Sequence, residues 1–224
     1  MEEGVGEMGV KIRSPRLFIS HAHEDKEYAS VLKGQLSLFG VNAFVAHADI
    51  EPSSEWSKEI IDSIKKCDAF VPLLSDSFRD SNSRWPDQEC GMAIILRKFM
   101  YPISVGGITP YGAMHGIQCE RLEKQPKNAK WQGVTLKLCQ KLIDRRKLSK
   151  AWVIESFSRS KTFWESNART ELLKYLENKK LLRRYDHSKI VTAALKNDQI
   201  LNWNLQVFFV ARSNSSCLFM VFHS

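Results

Sequence analysis

Short apolar runs alternate along the first half of this chain with segments of helical periodicity, and that alternation constrains the fold more than any single motif. The runs are "RLFIS" (16–20), "VNAFVA" (41–46), "AFVPLLS" (69–75) and "YPISVGG" (101–107), with a weaker fifth, "GIQCE" (116–120). Between them, "KEYASVLKGQLSLFG" places Tyr28, Val31, Leu32, Leu36 and Phe39 near i, i+3, i+4 spacing. Asp25 can cap its start and Gly40 can end it. "EWSKEIIDSIKKC" carries Trp56, Ile60, Ile61 and Ile64 on one face, and "SRWPDQECGMAIILRKF" begins a third helix. Continuously apolar strands joined by helices imply a parallel sheet covered on both faces, with right-handed crossovers.

The expected fold class is α/β: a flavodoxin-like parallel five-stranded sheet, with the first strand central. In such sheets the ligand crevice lies at the carboxyl ends of the strands. That rule gathers "SHAHED", "HADIEP" and "SDSFRDSNSRW" around one crevice. Three regions follow: an N-terminal tail (1–14), the α/β domain (15–122) and a mainly helical C-terminal extension (123–224). In the last, "VTLKLCQKLIDRRKL", "TFWESNARTELLKYLENKKLL" and "HSKIVTAALKNDQILNWNLQ" have helical spacing. "VFFVARSNSSCLFMVF" reads as two strand-like runs around a polar turn.

With 224 residues, 43% hydrophobic and 26% charged, the chain has the composition of a globular protein that buries a core. The formal net charge is +8, and much of the surplus falls after residue 120. A basic half can bind nucleic acid or an anionic membrane. Here acids are interleaved and no aromatic–basic motif occurs, so a solvated helix surface is the expectation and nucleic acid is not an expected partner. The five cysteines are odd in number, widely spaced and without a CxxC, which argues against a zinc ribbon or a disulfide framework. The start "MEEGVGEMGV" lacks the apolar stretch of a signal peptide, and "CLFMVF" is too short to span a bilayer. A cytoplasmic protein without a membrane segment is expected.

Among chemistry-bearing residues, Trp85 and Glu89 stand four apart, as neighbours on a helix face. Pro86 suits a first helical turn. Glu89 then lies near the positive end of the helix dipole, which favours its ionised form. A carboxylate beside a crevice can bind a sugar diol or stabilise an oxocarbenium ion. From spacing alone, the pair reads as a packing tryptophan and a capping or surface acid. His21 and His23 form an HxH, but no third ligand is placed by spacing, so no metal site is expected. Neither GxGxxG, GxxxxGK[ST] nor GxSxG is present.

The ordered set "RLFISHAHED", "VNAFVAHADIEPSSEWSKEIIDSIKKCDAFVPLLSDSF" and "SRWPDQECGMAI" resembles the Toll/interleukin-1 receptor (TIR) domain, particularly bacterial and plant members, over about residues 15–121. The resemblance implies cleavage of NAD+ at the nicotinamide–ribose bond, with NAD+ as substrate and no cofactor. Glu89 matches the family's catalytic glutamate. Ser20, His21, Ala22 and His23 match the loop bordering the nucleotide. Phe44, Ala46, His47 and Ile50 match the second strand and the BB loop at "HADIEP". Ser75 and Phe78 fall at the third strand end, and Trp85 would line the pocket or support Glu89. His21 and His23 stand where some members carry basic residues, and Pro86 replaces a cysteine of the plant pattern. The C-terminal helices resemble extensions of stand-alone bacterial TIR proteins, including Thoeris-type antiphage components whose nucleotide product activates a separate effector. Self-association through the TIR domain and its BB loop is likewise implied. The competing reading is a non-catalytic TIR–TIR signalling scaffold.

Overall fold

The computed structural model describes residues 4–5, 11–45, 56–80, 85–125 and 128–201. They divide into two compact units. One comprises residues 15–37 and 41–138; the other holds residues 4–5, 11–14, 38–40 and 139–201.

The first unit is the α/β domain. Its strands are β1 (Arg16–Ser20), β2 (Asn42–Val45), β3 (Ala69–Leu74), β4 (Ile103–Val105) and β5 (Glu120–Leu122). All pair in parallel, in the order β2-β1-β3-β4-β5. This is the flavodoxin-like order expected from the alternation. The helices are α1 (Lys26–Leu38), α2 (Trp56–Lys66), a short α3 (Asp76–Asp80) and α4 (Trp85–Ile95). α5 (Asn128–Asp144) follows β5, and the division between the units falls inside it, between Leu138 and Cys139.

Two details depart from the sequence reading. β5 begins only where "GIQCE" ends, and Gly116, at the start of that run, has φ +84°. An unexpected two-residue strand, Phe99–Met100, pairs with Ala69 and Phe70 at the start of β3; β4 takes over only at Leu73 and Leu74. By that register Pro72 and Pro102 stand opposite each other in the gap. Neither proline has an N–H to donate, so the ladder is interrupted there.

All six residues of β3 are buried. Phe18 is the register partner of Phe44 on one side and of Phe70 on the other. The three rings stack, with centroids 5.3 and 5.2 Å apart. This aromatic rung belongs to a core cluster that also holds Ile60 and Ile64 of α2, Leu74 of β3, and Cys90 and Ala93 of α4. Side chains two apart on a strand share a face, so Ser20 continues the row begun by Phe18 toward the carboxyl end of β1.

The second unit is mainly helical, with α6 (Lys150–Ser158), α7 (Phe163–Asn178), α8 (Arg184–Lys196) and α9 (Asp198–Leu201). Ser149 caps α6 by accepting from Trp152 N at 3.1 Å, and Thr162 caps α7 by accepting from Glu165 N at 3.2 Å. Arg169 is buried and fully engaged: Nε donates to Leu38 O (3.0 Å), Nη1 to Ser156 O (2.6 Å) and Ser160 Oγ (3.2 Å), and Glu165 lies 3.2 Å away. The apolar tail after Leu201 lies outside the described residues.

Among the described residues, no helix is long and apolar enough to cross a membrane, and no cluster of His, Cys, Asp or Glu could hold a metal ion. Cys67, Cys90, Cys119 and Cys139 are free thiols.

Candidate active site at the carboxyl ends of the strands

Three segments meet at the carboxyl end of the sheet. The first runs from Ser20, the last residue of β1, through His21 and Ala22 into a 3-10 turn, His23–Asp25. The second runs from Ser75, just after β3, into α3. The third is the first half of α4, where Pro86 is buried in the opening turn as its missing N–H allows.

Glu89 lies on the buried face of α4, four residues before Ala93 of the core cluster, and is only 2% exposed. It is therefore neither a surface acid nor a cap. Its Oε2 accepts a hydrogen bond from Ser20 Oγ at 2.5 Å. Ser20 is itself 0% exposed. Burial raises the Glu89 carboxyl from its ordinary 4.5 to about 7, against the opposing pull of the Ser20 hydrogen bond. The helix dipole invoked from sequence fades beyond the first turn, and desolvation outweighs it here.

A second buried carboxylate, Asp25, reads in the sequence only as a helix cap. Asp25 accepts from Ser75 Oγ at 2.5 Å, and Ser75 Oγ accepts from Phe78 N at 2.9 Å. One hydroxyl thus ties the 3-10 turn after β1 to the start of α3. Burial raises the Asp25 carboxyl, while the Ser75 hydrogen bond lowers it. Tyr111 was also missed. Its hydroxyl lies 3.2 Å from Asp87 Oδ1 and 3.4 Å from Phe78 O, and burial pushes its ionisation well above the ordinary phenol range. Nothing local in "TPYGAM" signals that role.

The other expected residues divide by burial. His21 and Ala22 are buried beside Ser20, and His23 is exposed. Phe78 is packed in the core and reaches the site through its backbone N–H. Phe44 is partly buried, its ring stacked on Phe18. Trp85 is half-buried at the start of α4. Ala46, His47 and Ile50, with the rest of the BB loop, lie outside the described residues.

A groove of about 790 Å³ occurs in the helical unit, lined by residues of α6, α8 and α9 such as Glu155, Tyr185, Lys189 and Lys196. It shares no residue with the Glu89 cluster. The candidate site centres on Glu89, a buried carboxylate hydrogen-bonded to Ser20 at the sheet's carboxyl end, where ligand crevices lie in parallel α/β sheets.

Among solved structures, the TIR domain of the Toll-related receptor TRR-2 from Hydra magnipapillata is 17% identical, with a TM-score of 0.45, over 59% of this chain and 98% of that chain. The TIR domains of the activated Roq1 resistosome are 17% identical, with a TM-score of 0.40, over 72% and 98%. The CMP N-glycosidase BcmB from Clostridium botulinum is 16% identical, with a TM-score of 0.37, over 55% and 98%. No curated protein matches the sequence. Residues 17–136, more than half of the chain, match the model of the TIR domain family, and the chain belongs to that family.

Proposed function

We propose that the chain is an NAD+ nucleosidase or ADP-ribosyl cyclase that cleaves the nicotinamide–ribose bond. One observation carries the reading: in a TIR domain, a glutamate on α4 is buried at the sheet's carboxyl end, with one carboxylate oxygen held by Ser20 and its ionisation moved to about neutrality. Burying a carboxylate costs free energy, and strongly perturbed carboxyls in clefts concentrate at functional sites.

In the proposed reaction, Glu89 accepts hydrogen bonds from the hydroxyls of the nicotinamide-bearing ribose. The C–N bond breaks with its electron pair leaving on nicotinamide, which departs as a neutral molecule. The positive charge passes to the ribose as an oxocarbenium-like centre, and the Glu89 carboxylate stabilises it. Water then adds to give ADP-ribose and a proton. Attack by an atom of the same molecule gives a cyclic isomer instead. Self-association belongs to the reading, as does an antiphage signalling role in which a separate effector senses the nucleotide product.

A non-catalytic TIR–TIR scaffold is favoured by a different observation. Ile95, 81% exposed, and Leu96, 41% exposed, form an apolar end to α4 suited to another protein surface. Incubating concentrated protein with NAD+ and resolving products by chromatography and mass spectrometry separates the two readings. The enzyme releases nicotinamide and Glu89→Ala does not; a parent that stays silent even in an enforced assembly is a scaffold.

A further inference from the structure

We propose that Ser20 is a positioning residue for Glu89: its hydroxyl holds Oε2 and leaves Oε1 as the carboxylate oxygen that meets a ribose hydroxyl. The proposal deepens, and rests on, the glycosidic reading above.

Position in the sequence makes Ser20 a residue of the nucleotide-bordering loop. Its surroundings give it a different task. The side chain is completely buried and its proton is committed to Glu89 at 2.5 Å, so that donor is not offered to substrate. Its backbone is pinned in the sheet, since Ser20 is the register partner of Pro72 on β3. Two residues earlier, Phe18 is locked between two stacked rings. Glu89 stands on α4 in the same relation to Ala93. The Ser20–Glu89 hydrogen bond is therefore the polar end of the contact row between strand and helix, and joins two rigid elements. A glutamate has several rotatable bonds, and holding one oxygen removes most of that freedom before substrate arrives.

Among the described residues, Ser20 is also the one side chain that hydrogen-bonds the Glu89 carboxylate. A hydroxyl donating to a carboxylate favours the ionised form. The elements packed on α4 offer Ile60 and Ile64 from α2, Phe18 and Ser20 from β1, Leu74 from β3 and Met114 from the 3-10 turn after Tyr111. The titratable groups that interact in this neighbourhood are Cys90, raised by burial and by the Glu89 and Asp87 charges, and Tyr111, which meets Asp87 and Cys90. Burial is the largest influence on Glu89, and the Ser20 hydrogen bond is what opposes it.

The test measures nicotinamide release against pH for the parent, Ser20→Ala and Ser20→Cys, with kcat and KM separated and thermal melts recorded. Ser20→Ala is expected to lower kcat near neutrality about tenfold, leave KM within about twofold, and move the acid limb upward by about one pH unit. Ser20→Cys, similar in size and a weaker donor, should move it less in the same direction. A loss of stability alone would not move the limb. An unmoved limb with kcat retained overturns the proposal. A parent that releases no nicotinamide even in an enforced assembly overturns the glycosidic reading instead. Ser20 is then judged by 13C NMR titration of the Glu89 carboxyl, assigned with Glu89→Gln. A midpoint that rises in Ser20→Ala supports the positioning role, and one that stays overturns it.

Discussion

The hydroxyl of Ser75 donates to Oδ2 of Asp25 at 2.5 Å across fifty residues of chain, and accepts from the backbone N–H of Phe78 at 2.9 Å. Ser75→Ala removes both bonds and leaves a buried carboxylate and a buried N–H without them. The expected cost is about 2–3 kcal/mol. The pH dependence has a definite sign. Burial already raises Asp25 in the folded state, so its ionisation costs stability as pH rises through the folded pKa. Losing the Ser75 donor raises it further. Denaturant titrations should therefore show a loss that grows as pH rises through and above the ordinary carboxylate range.

Glu89 carries a stability cost of its own. Its carboxyl rises from 4.5 to about 7 on folding, so the folded state holds the proton more tightly than the unfolded chain. The protonated form is favoured below the unfolded value, and that advantage is lost as pH rises through about 7. At about 1.4 kcal/mol per unit, the ionised residue costs about 3 kcal/mol above that window. Glu89→Gln should thus melt higher than the parent at about pH 8, with the difference gone at about pH 4. A parent melting temperature unaffected by pH across the window would contradict the burial argument.

Two glycines predict opposite outcomes. Gly40 has φ +73°, and a Cβ there would stand 2.8 Å from Ser156 Cβ within the helical unit. Gly40→Ala meets both backbone strain and a clash, and should destabilise by about 1–3 kcal/mol. Gly34 lies inside α1, exposed, with nothing within 4 Å of the added methyl. Gly34→Ala should stabilise by about 0.5–1 kcal/mol. Thermal melts of the two variants check the pair.

The strands were legible in the sequence because a doubly covered parallel sheet demands unbroken apolar runs, and "RLFIS" and "AFVPLL" have them. Their order agrees with the flavodoxin-like arrangement expected for such an alternation, with the first strand central. Harder to read were features that depend on register or distant partners. The proline-interrupted edge of β3 needs Pro72 and Pro102 to be known as neighbours. The five-residue α3 is too short for periodicity. At the site, the spacing of Trp85 and Glu89 set them on a helix face, but said nothing of which face was buried. The partner of Glu89 lies 69 residues away and that of Asp25 lies 50 away. Pairs of that kind appear only once strands are side by side. Asp25 reads locally as a cap because any acid before a helix does.

Thiol reactivity offers an independent check on the packing. Cys90 and Cys139 are buried, and desolvation pushes both thiols well above their ordinary ionisation range. Cys119 is half-buried. Alkylation of native protein near pH 8, followed by mass spectrometry, should label Cys119 well before Cys90 or Cys139. Equal labelling of all three would show the core to be open.

Nicotinamide release from NAD+ by concentrated parent and by Glu89→Gln, followed from about pH 5 to about pH 9, tests the central claim most directly. The account predicts that the parent's rate climbs as Glu89 ionises, with a midpoint near 7, and that the variant, folded and more stable above that midpoint, releases none. A Glu89→Gln protein that releases nicotinamide at the parent's rate would contradict it.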